Sequence, residues 1–354
     1  MHIFFDSVPT HLIAGVDQAS FELNAEKAFH GIKNVPSEPE LHVIHFQSSE
    51  NGVRYGYWFQ SKSSDFVELN YDAGQEIYVP RTLNKDEERR DAENKFGALQ
   101  AFMMPFPQID EENSWHELTK YIKWRDVQYG AGCSGEFAYV DSSITTSEEN
   151  LKLFKTLRRR VDTSKADIVA PVSEAVLNYT PVVFKSLEAL RPDHKMEDFF
   201  DKSWYLSNII LPKYHNSSMY SLLGEFQWAF LNAIFFGNYG SSLQWHNIIE
   251  LICFSSKANV QLVQTFDETL SRQLRVFPEV YFDVLISGSV WRKCLLESPQ
   301  KDQLSQTLKV IEERFPELIS GNASDSENDS TDSTDEDAPV IVEKITYRGH
   351  LRSY

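Results

Sequence analysis

The sequence predicts an α+β protein: an N-terminal β-rich, sandwich-like domain with helices, a C-terminal all-α helical domain, and an acidic tail ending in a tethered strand. Three observations predict it. Residues 41–80 hold short runs that alternate apolar with polar side chains, the strand period. Residues 196–315 repeat apolar side chains at the helix period, and residues 321–338 are an acidic Ser/Thr/Asp/Glu tract.

The first eighty residues read as antiparallel β. Residues 41–47 and 53–60 are strand-like and flank Ser48-Ser49-Glu50-Asn51-Gly52, where Asn-Gly supplies the positive φ angles of a hairpin turn. Tyr55, Tyr57 and Phe59 alternate with Arg54, Gly56, Trp58 and Gln60, so they share one face. Further strands at 66–71 and 77–79 bracket the turn Asp72-Ala73-Gly74. From Asp86 the pattern is helical. Ser114 and Glu117 make a capping box, each satisfying an orphan amide, with Trp115, Leu118 and Ile122 on the face behind it. A β-like piece at 137–140 returns to the N-terminal sheet. Residues 1–150 therefore form the first domain, and the polar, aperiodic stretch 151–176 a linker.

Residues 177–319 form the helical domain. Met196, Phe199, Phe200 and Trp204 fall on one face after a cap at Asp193. Trp245, Ile248, Ile249 and Ile252 form a second face, and Leu304, Leu308, Ile311 and Phe315 a third; all three are expected to pack. Between two helices, Phe235-Phe236-Gly237-Asn238-Tyr239-Gly240 places glycines where a helix end needs a left-handed residue. Residues 320–338 lack the apolar content to bury a core and are expected to be disordered. In residues 339–354, Val340, Ile341, Val342, Ile345 and Tyr347 make a β-prone segment suited to adding a strand to a partner's sheet. The alternative is a strand folded back on its own N-terminal sheet.

Charge excludes one broad class. The 354 residues carry a net −18; the last 35 hold eight acids and three bases, leaving −13 on the body. Nucleic-acid affinity draws on cations that displace counterions, so tight direct RNA binding is not expected. The one basic run, Arg158-Arg159-Arg160, is either a solvated linker face or a contact for an acidic partner. Cys133, Cys253 and Cys294 are too few and too scattered for a disulfide framework or a thiolate metal site, which fits a reducing compartment. Nowhere do about 18 apolar residues follow one another, and Met1 to Val16 lacks the basic flank of a signal peptide, so no membrane association is expected.

No residue set points to catalysis, a cofactor or a metal. Gly130-x-Gly132-x-x-Gly135 has the spacing of a dinucleotide fingerprint but is followed by strand-like residues where a helix N-terminus is needed. His246 and Glu250 sit one helical turn apart without a third ligand at a familiar spacing. His42 and His45, three apart on a strand, point to opposite faces.

Several strings resemble the A1 cistron-splicing factor family, the AAR-two proteins, across nearly the whole chain. They are Phe29-His-Gly-Ile-Lys33, His42-Val-Ile-His-Phe46, Arg54-Tyr-Gly-Tyr-Trp-Phe59, Tyr139-Val-Asp-Ser-Ser143 and Met196-Glu-Asp-Phe199. The longest is Gly224-Glu-Phe-Gln-Trp-Ala-Phe-Leu-Asn-Ala-Ile-Phe-Phe-Gly-Asn-Tyr-Gly-Ser-Ser-Leu-Gln-Trp-His246. The resemblance implies a non-enzymatic assembly factor of the U5 small nuclear ribonucleoprotein. It implies binding to the large central scaffold protein through its RNase H-like and Jab/MPN domains, with residues 340–347 adding a strand between them. It further implies competition with the U5 helicase, a block on premature RNA binding, and residence in cytoplasm and nucleus. Release by phosphorylation is implied at Ser255, where a phosphate would meet the negative end of a helix. Ser324, Ser326, Ser333 and Thr334, each with an acid three places later, are further candidates. A direct RNA-binding splicing protein is the alternative reading.

Overall fold

The computed structural model describes residues 1–320 except 8, 10, 25–28, 49–51, 108–114, 161–175 and 287–288. The expected tail strand and the candidates Ser324, Ser326, Ser333 and Thr334 lie outside the described residues, as does the cap residue Ser114. Two five-stranded sheets face each other. The strands are β1 (His2–Asp6), β2 (His11–Val16), β3 (Ala19–Asn24), β4 (Gly31–Lys33), β5 (Leu41–Gln47), β6 (Arg54–Gln60), β7 (Phe66–Asp72), β8 (Ile77–Thr82), β9 (Met104–Pro105) and β10 (Phe137–Asp141). One sheet runs β8-β7-β1-β4-β9 and the other β10-β6-β5-β2-β3.

Strands β5 and β6 pair antiparallel from Leu41↔Gln60 to Gln47↔Arg54, the pairing expected of neighbouring strands in a hairpin. β10 adds antiparallel to β6, so residues 137–140 do return to the N-terminal sheet. The sheets are not purely antiparallel, however, because β1 pairs parallel with β7 and β4 with β9. The chain spends β2 and β3, then β5 and β6, on the other sheet before returning to the flank of β1, and a return after such an excursion need not reverse direction. Alternation then sorts side chains between two cores. Ile44, Phe46, Tyr55, Tyr57 and Phe59 fill the sandwich, while Leu41, Val43 and Trp58 leave the opposite face of the same strands.

The helices are α1 (Asp86–Leu99), α2 (Trp115–Thr119), α3 (Trp124–Gly130), α4 (Ser147–Arg160), α5 (Lys195–Phe200), α6 (Ser203–Tyr205), α7 (Leu211–Tyr214), α8 (Met219–Phe236), α9 (Tyr239–Cys253), α10 (Val260–Val276), α11 (Ser289–Arg292), α12 (Ser305–Arg314) and α13 (Glu317–Ser320). A π-helical turn, Leu206–Ile210, joins α6 to α7. Helix α4 occupies residues that the sequence assigns to a linker. Its start explains why: Thr146 N donates to Glu149 Oε2 at 2.7 Å and Glu149 N to Thr146 Oγ1 at 3.2 Å, a reciprocal capping box in a Thr-x-x-Glu string.

Helix α8 packs against the outer face of strands β6 and β10, and α9 and α10 pack on α8, so one core spans both halves of the sequence. Trp58, Trp115, Val127 and Val140 share it with Phe226, Phe230, Trp245 and Phe266. Trp58 stacks on Trp115 with centroids 6.0 Å apart, and its indole N–H donates 2.9 Å to Asn232 Oδ1 in the middle of α8. Burying that indole without the amide would leave an unsatisfied donor. Helix α8 ends at Gly237, whose φ of 61° is the left-handed cap expected there. Gly240 serves otherwise. It lies in the first turn of α9, where a Cβ would approach Thr146 Cγ2 to 2.3 Å and Glu149 Oε2 to 2.4 Å.

Candidate partner-binding surfaces

The polar residues singled out by sequence prove to be occupied with packing. Gly130 closes α3, and a Cβ there would meet the Trp228 ring at 2.3 Å, so this glycine fits α3 against α8. His246 is fixed by Ser242 O at Nδ1 (2.7 Å) and by Leu285 O at Nε2 (2.7 Å), with the Trp291 indole 2.9 Å from Nε2. Burial raises the nearby Glu250 carboxyl, against the pull of Lys202 and Lys293. Among the described residues, no group of three or more His, Cys, Asp or Glu is placed to hold a metal ion.

His42 and His45 leave opposite faces of β5, yet both reach Asp17 in the β2–β3 turn. His42 Nδ1 lies 2.7 Å from Asp17 Oδ2, Val43 N donates to Asp17 Oδ1, and His45 Nε2 is 3.1 Å from the Asp17 carbonyl. Burial disfavours charge on both members of the first pair, but the Asp17 carboxylate outweighs it at His42 and holds that imidazole above its usual value. His45 has no such partner, and burial pushes it down to about 4. Its ring stacks on Phe235 of α8, 4.9 Å between centroids. These groups pin the turn, the sheet and α8 together.

Ser255 sits just past α9 and is fully buried. Its Oγ donates 2.7 Å to Leu251 O, and its carbonyl accepts from Gln300 Nε2 at 2.6 Å. The next residue, Ser256, is exposed, and both its N–H (3.1 Å) and its hydroxyl donate to Asp201. Asp201 also accepts from Ser203 N (2.9 Å) and from the Ser203 hydroxyl. Lys202 N donates to Phe254 O and Lys257 N to Ser203 Oγ, both at 2.8 Å. Burial alone would raise the Asp201 carboxyl; the bonds from Ser203 and Ser256 outweigh it and hold it below the usual carboxylate range. The loop 254–257 is thereby clasped to residues 201–203, which run from the C-cap of α5 to the start of α6. Sequence gives no signal for this clasp, because its partners lie 55 residues apart.

Helix α5 overturns an expectation. Met196, Phe199 and Phe200 do not pack inward; they are 72%, 43% and 65% exposed. The residue that α5 buries is Asp198, 2% exposed, held by Arg191 through Nε at 2.9 Å, Nη2 at 2.7 Å and the backbone N–H at 2.8 Å. The cap is His194 rather than Asp193. A charged hydrogen-bonded pair that needs one side of a six-residue helix leaves only the other side for the aromatics. The remaining packing faces are as expected: Trp245, Ile248, Ile249 and Ile252 are buried, as are Leu304, Ile311 and Phe315, with Leu308 partly so.

A groove of about 640 Å³ runs between α4 and α9, lined by Tyr129, Glu148, Pro181, Phe184, Leu243 and Asn247. Arg158 to Arg160 lie on α4, and their side chains are outside the described residues. Among the described residues, no helix is long and apolar enough to cross a membrane.

A two-sheet β-rich half thus shares one core with a helical half, and outward aromatics stand beside a clasped loop. Residues 1–129 match the AAR2 N-terminal domain and residues 179–337 the AAR2 C-terminal repeat region. The chain is also 39% identical over 354 residues to the A1 cistron-splicing factor AAR2 of Saccharomyces cerevisiae, covering 97% of this chain and 98% of that one. It belongs to the AAR2 family of splicing factors.

Proposed function

We propose that this chain is a non-enzymatic assembly factor for pre-mRNA splicing, a placeholder that holds the central scaffold protein of the U5 particle in cytoplasm and nucleus. It grips the scaffold's RNase H-like and Jab/MPN domains, and residues 340–347 add a strand between them. Bound there, it occupies surface that the U5 helicase and RNA need. The observation that carries this reading is the similarity to a splicing factor over almost the full length of both chains. The net charge of −18 further weighs against direct RNA binding as the source of affinity. Linked contacts from two halves and a tethered strand add avidity without any one being strong.

Release follows from phosphorylation at Ser255. Its hydroxyl is inside the fold, so modification requires the 254–257 loop to open, and a phosphate at the C-terminal end of α9 opposes the helix carbonyls. The loop then cannot close again.

Truncation after Asp337 tests the grip: calorimetric titration against the scaffold should show affinity at least about tenfold weaker, ~1.4 kcal/mol, with an unchanged far-UV spectrum. Unchanged affinity removes the strand-addition step. Ser255→Glu should weaken binding of the RNase H-like domain, and equal binding counts against release by this route.

A further inference from the structure

We infer that the groove between α4 and α9 holds the chain's own tail, with Val340-Ile341-Val342 in the groove and the acidic tract before it along the basic half of α4. Three observations carry it. The groove is polarised along its length. Helices α4 and α9 begin at one corner, where Gly240 meets Thr146 and Glu149, and the carboxylates of that corner are committed, Glu149 to Thr146 N at 2.7 Å and Glu148 to Lys152 at 3.2 Å. Past the corner, Lys155, Arg158, Arg159 and Arg160 follow on α4 with no acid among residues 150–160. Between these ends the lining is apolar and open to water: Leu151 and Val183 are exposed, and Pro181, Phe184 and Leu243 join them. The tail has the matching composition. Residues 321–338 carry seven acids and no base and run into Val340-Ile341-Val342, so one segment offers carboxylates to the basic turns and aliphatic side chains to the groove.

The tail is the occupant that charge and tethering select. The connection 161–175 also holds aliphatic residues, but it brings three acids against one base and so complements the basic turns far less. A separate partner would have to meet the full entropic cost of association, whereas the tail is already attached. Residues 321–339 reach up to roughly 60 Å when extended. They start from α13, which packs beside α11, whose Trp291 Nε1 lies 2.9 Å from His246 Nε2 on α9. The docked tail regulates the grip on the scaffold, and in this it rests on the proposed function. A triplet seated in the groove must leave before it can add a strand to a partner, so apparent affinity falls with the fraction of chains whose tail is undocked.

The test is limited proteolysis of the full-length chain by a glutamate-specific protease, read as the rate of the cut after Glu343, next to the triplet; that rate follows the undocked fraction. Leu151→Asp should speed the cut at least tenfold and leave the melting temperature unchanged. Arg158→Gln/Arg159→Gln/Arg160→Gln should speed it two- to fivefold, an effect that high salt reproduces in the parent chain. Equal rates in the parent and both variants overturn the inference. Protection that grows with protein concentration assigns the contact to a second copy, and a faster cut after Glu174 with none after Glu343 assigns the groove to the connection 161–175; either overturns it. Titration with the U5 scaffold separates regulation from docking. Leu151→Asp should bind two- to fivefold more tightly than the parent, and a faster cut without that gain overturns the regulation alone. No binding by either chain removes the proposed function and the regulation with it, while the cut after Glu343 still decides the docking.

Discussion

Helices α9 and α5 both place aromatic and aliphatic side chains at helical spacing, yet α9 turns them into the core and α5 turns them into water. In α9, Asn238 caps the first turn through Ser241 N at 2.9 Å and bonds Asp141 O and Ile144 O, while the mid-helix Gln244 and His246 find the carbonyls of Thr180 and Leu285, and the face of Trp245, Ile248, Ile249 and Ile252 packs inward. In α5 the polar commitment sits mid-helix, at Asp198, and dictates the side that faces in. Periodicity tells which residues share a face; the polar anchors decide where that face points.

The sharpest way to break this comparison is to truncate one aromatic on each helix. Trp245→Ala should cost about 3–5 kcal/mol in urea unfolding, whereas Phe200→Ala should change stability by no more than about 0.5 kcal/mol. Comparable losses would mean that α5 is not held outward in solution. A second effect belongs to the buried side alone. Burial pushes both His45 on β5 and His215, which follows α7 and lies between Thr180 and Ser221, down to about 4, so each is neutral in the fold and would take up a proton in the unfolded chain near 6.5. Their contribution is complete above pH 6.5 and drains away as pH falls towards 4, by at most about 3 kcal/mol each. His215→Gln should flatten that slope between pH 6.5 and 4; an unaltered slope would exclude His215 as one of the groups. A smaller effect sharpens the comparison at the cap. Asn238→Ala should destabilise by about 1–2 kcal/mol, since one side chain serves the α9 terminus and two carbonyls of the segment before α4.

Sequence made the local parts of this fold legible and left its long-range decisions hidden. The β5–β6 hairpin, the return of β10 and the left-handed Gly237 cap were readable because turn chemistry and alternation act within a few residues. The parallel pairing of β1 with β7 was not, since nothing in either strand names its neighbour. Thr146-x-x-Glu149 was readable in principle; the polar composition around it masked a helix start. At the surfaces, Ser255 came from resemblance, and neither its burial nor the Asp201–Ser256 contact across 55 residues leaves a trace in spacing or composition. The outward turn of α5 was hidden for the same reason, because Arg191 and Asp198 look like ordinary solvated charges until they are seen paired.

The wall of side chains common to both halves constrains how the chain can be rebuilt. Trp58 and Trp115, from the N-terminal half, share one core with Phe226, Phe230 and Trp245 from the C-terminal half. Recombination that swapped a single half would graft a mismatched surface onto an entire sheet face. A change of side-chain volume on one side of that wall is therefore felt on the other.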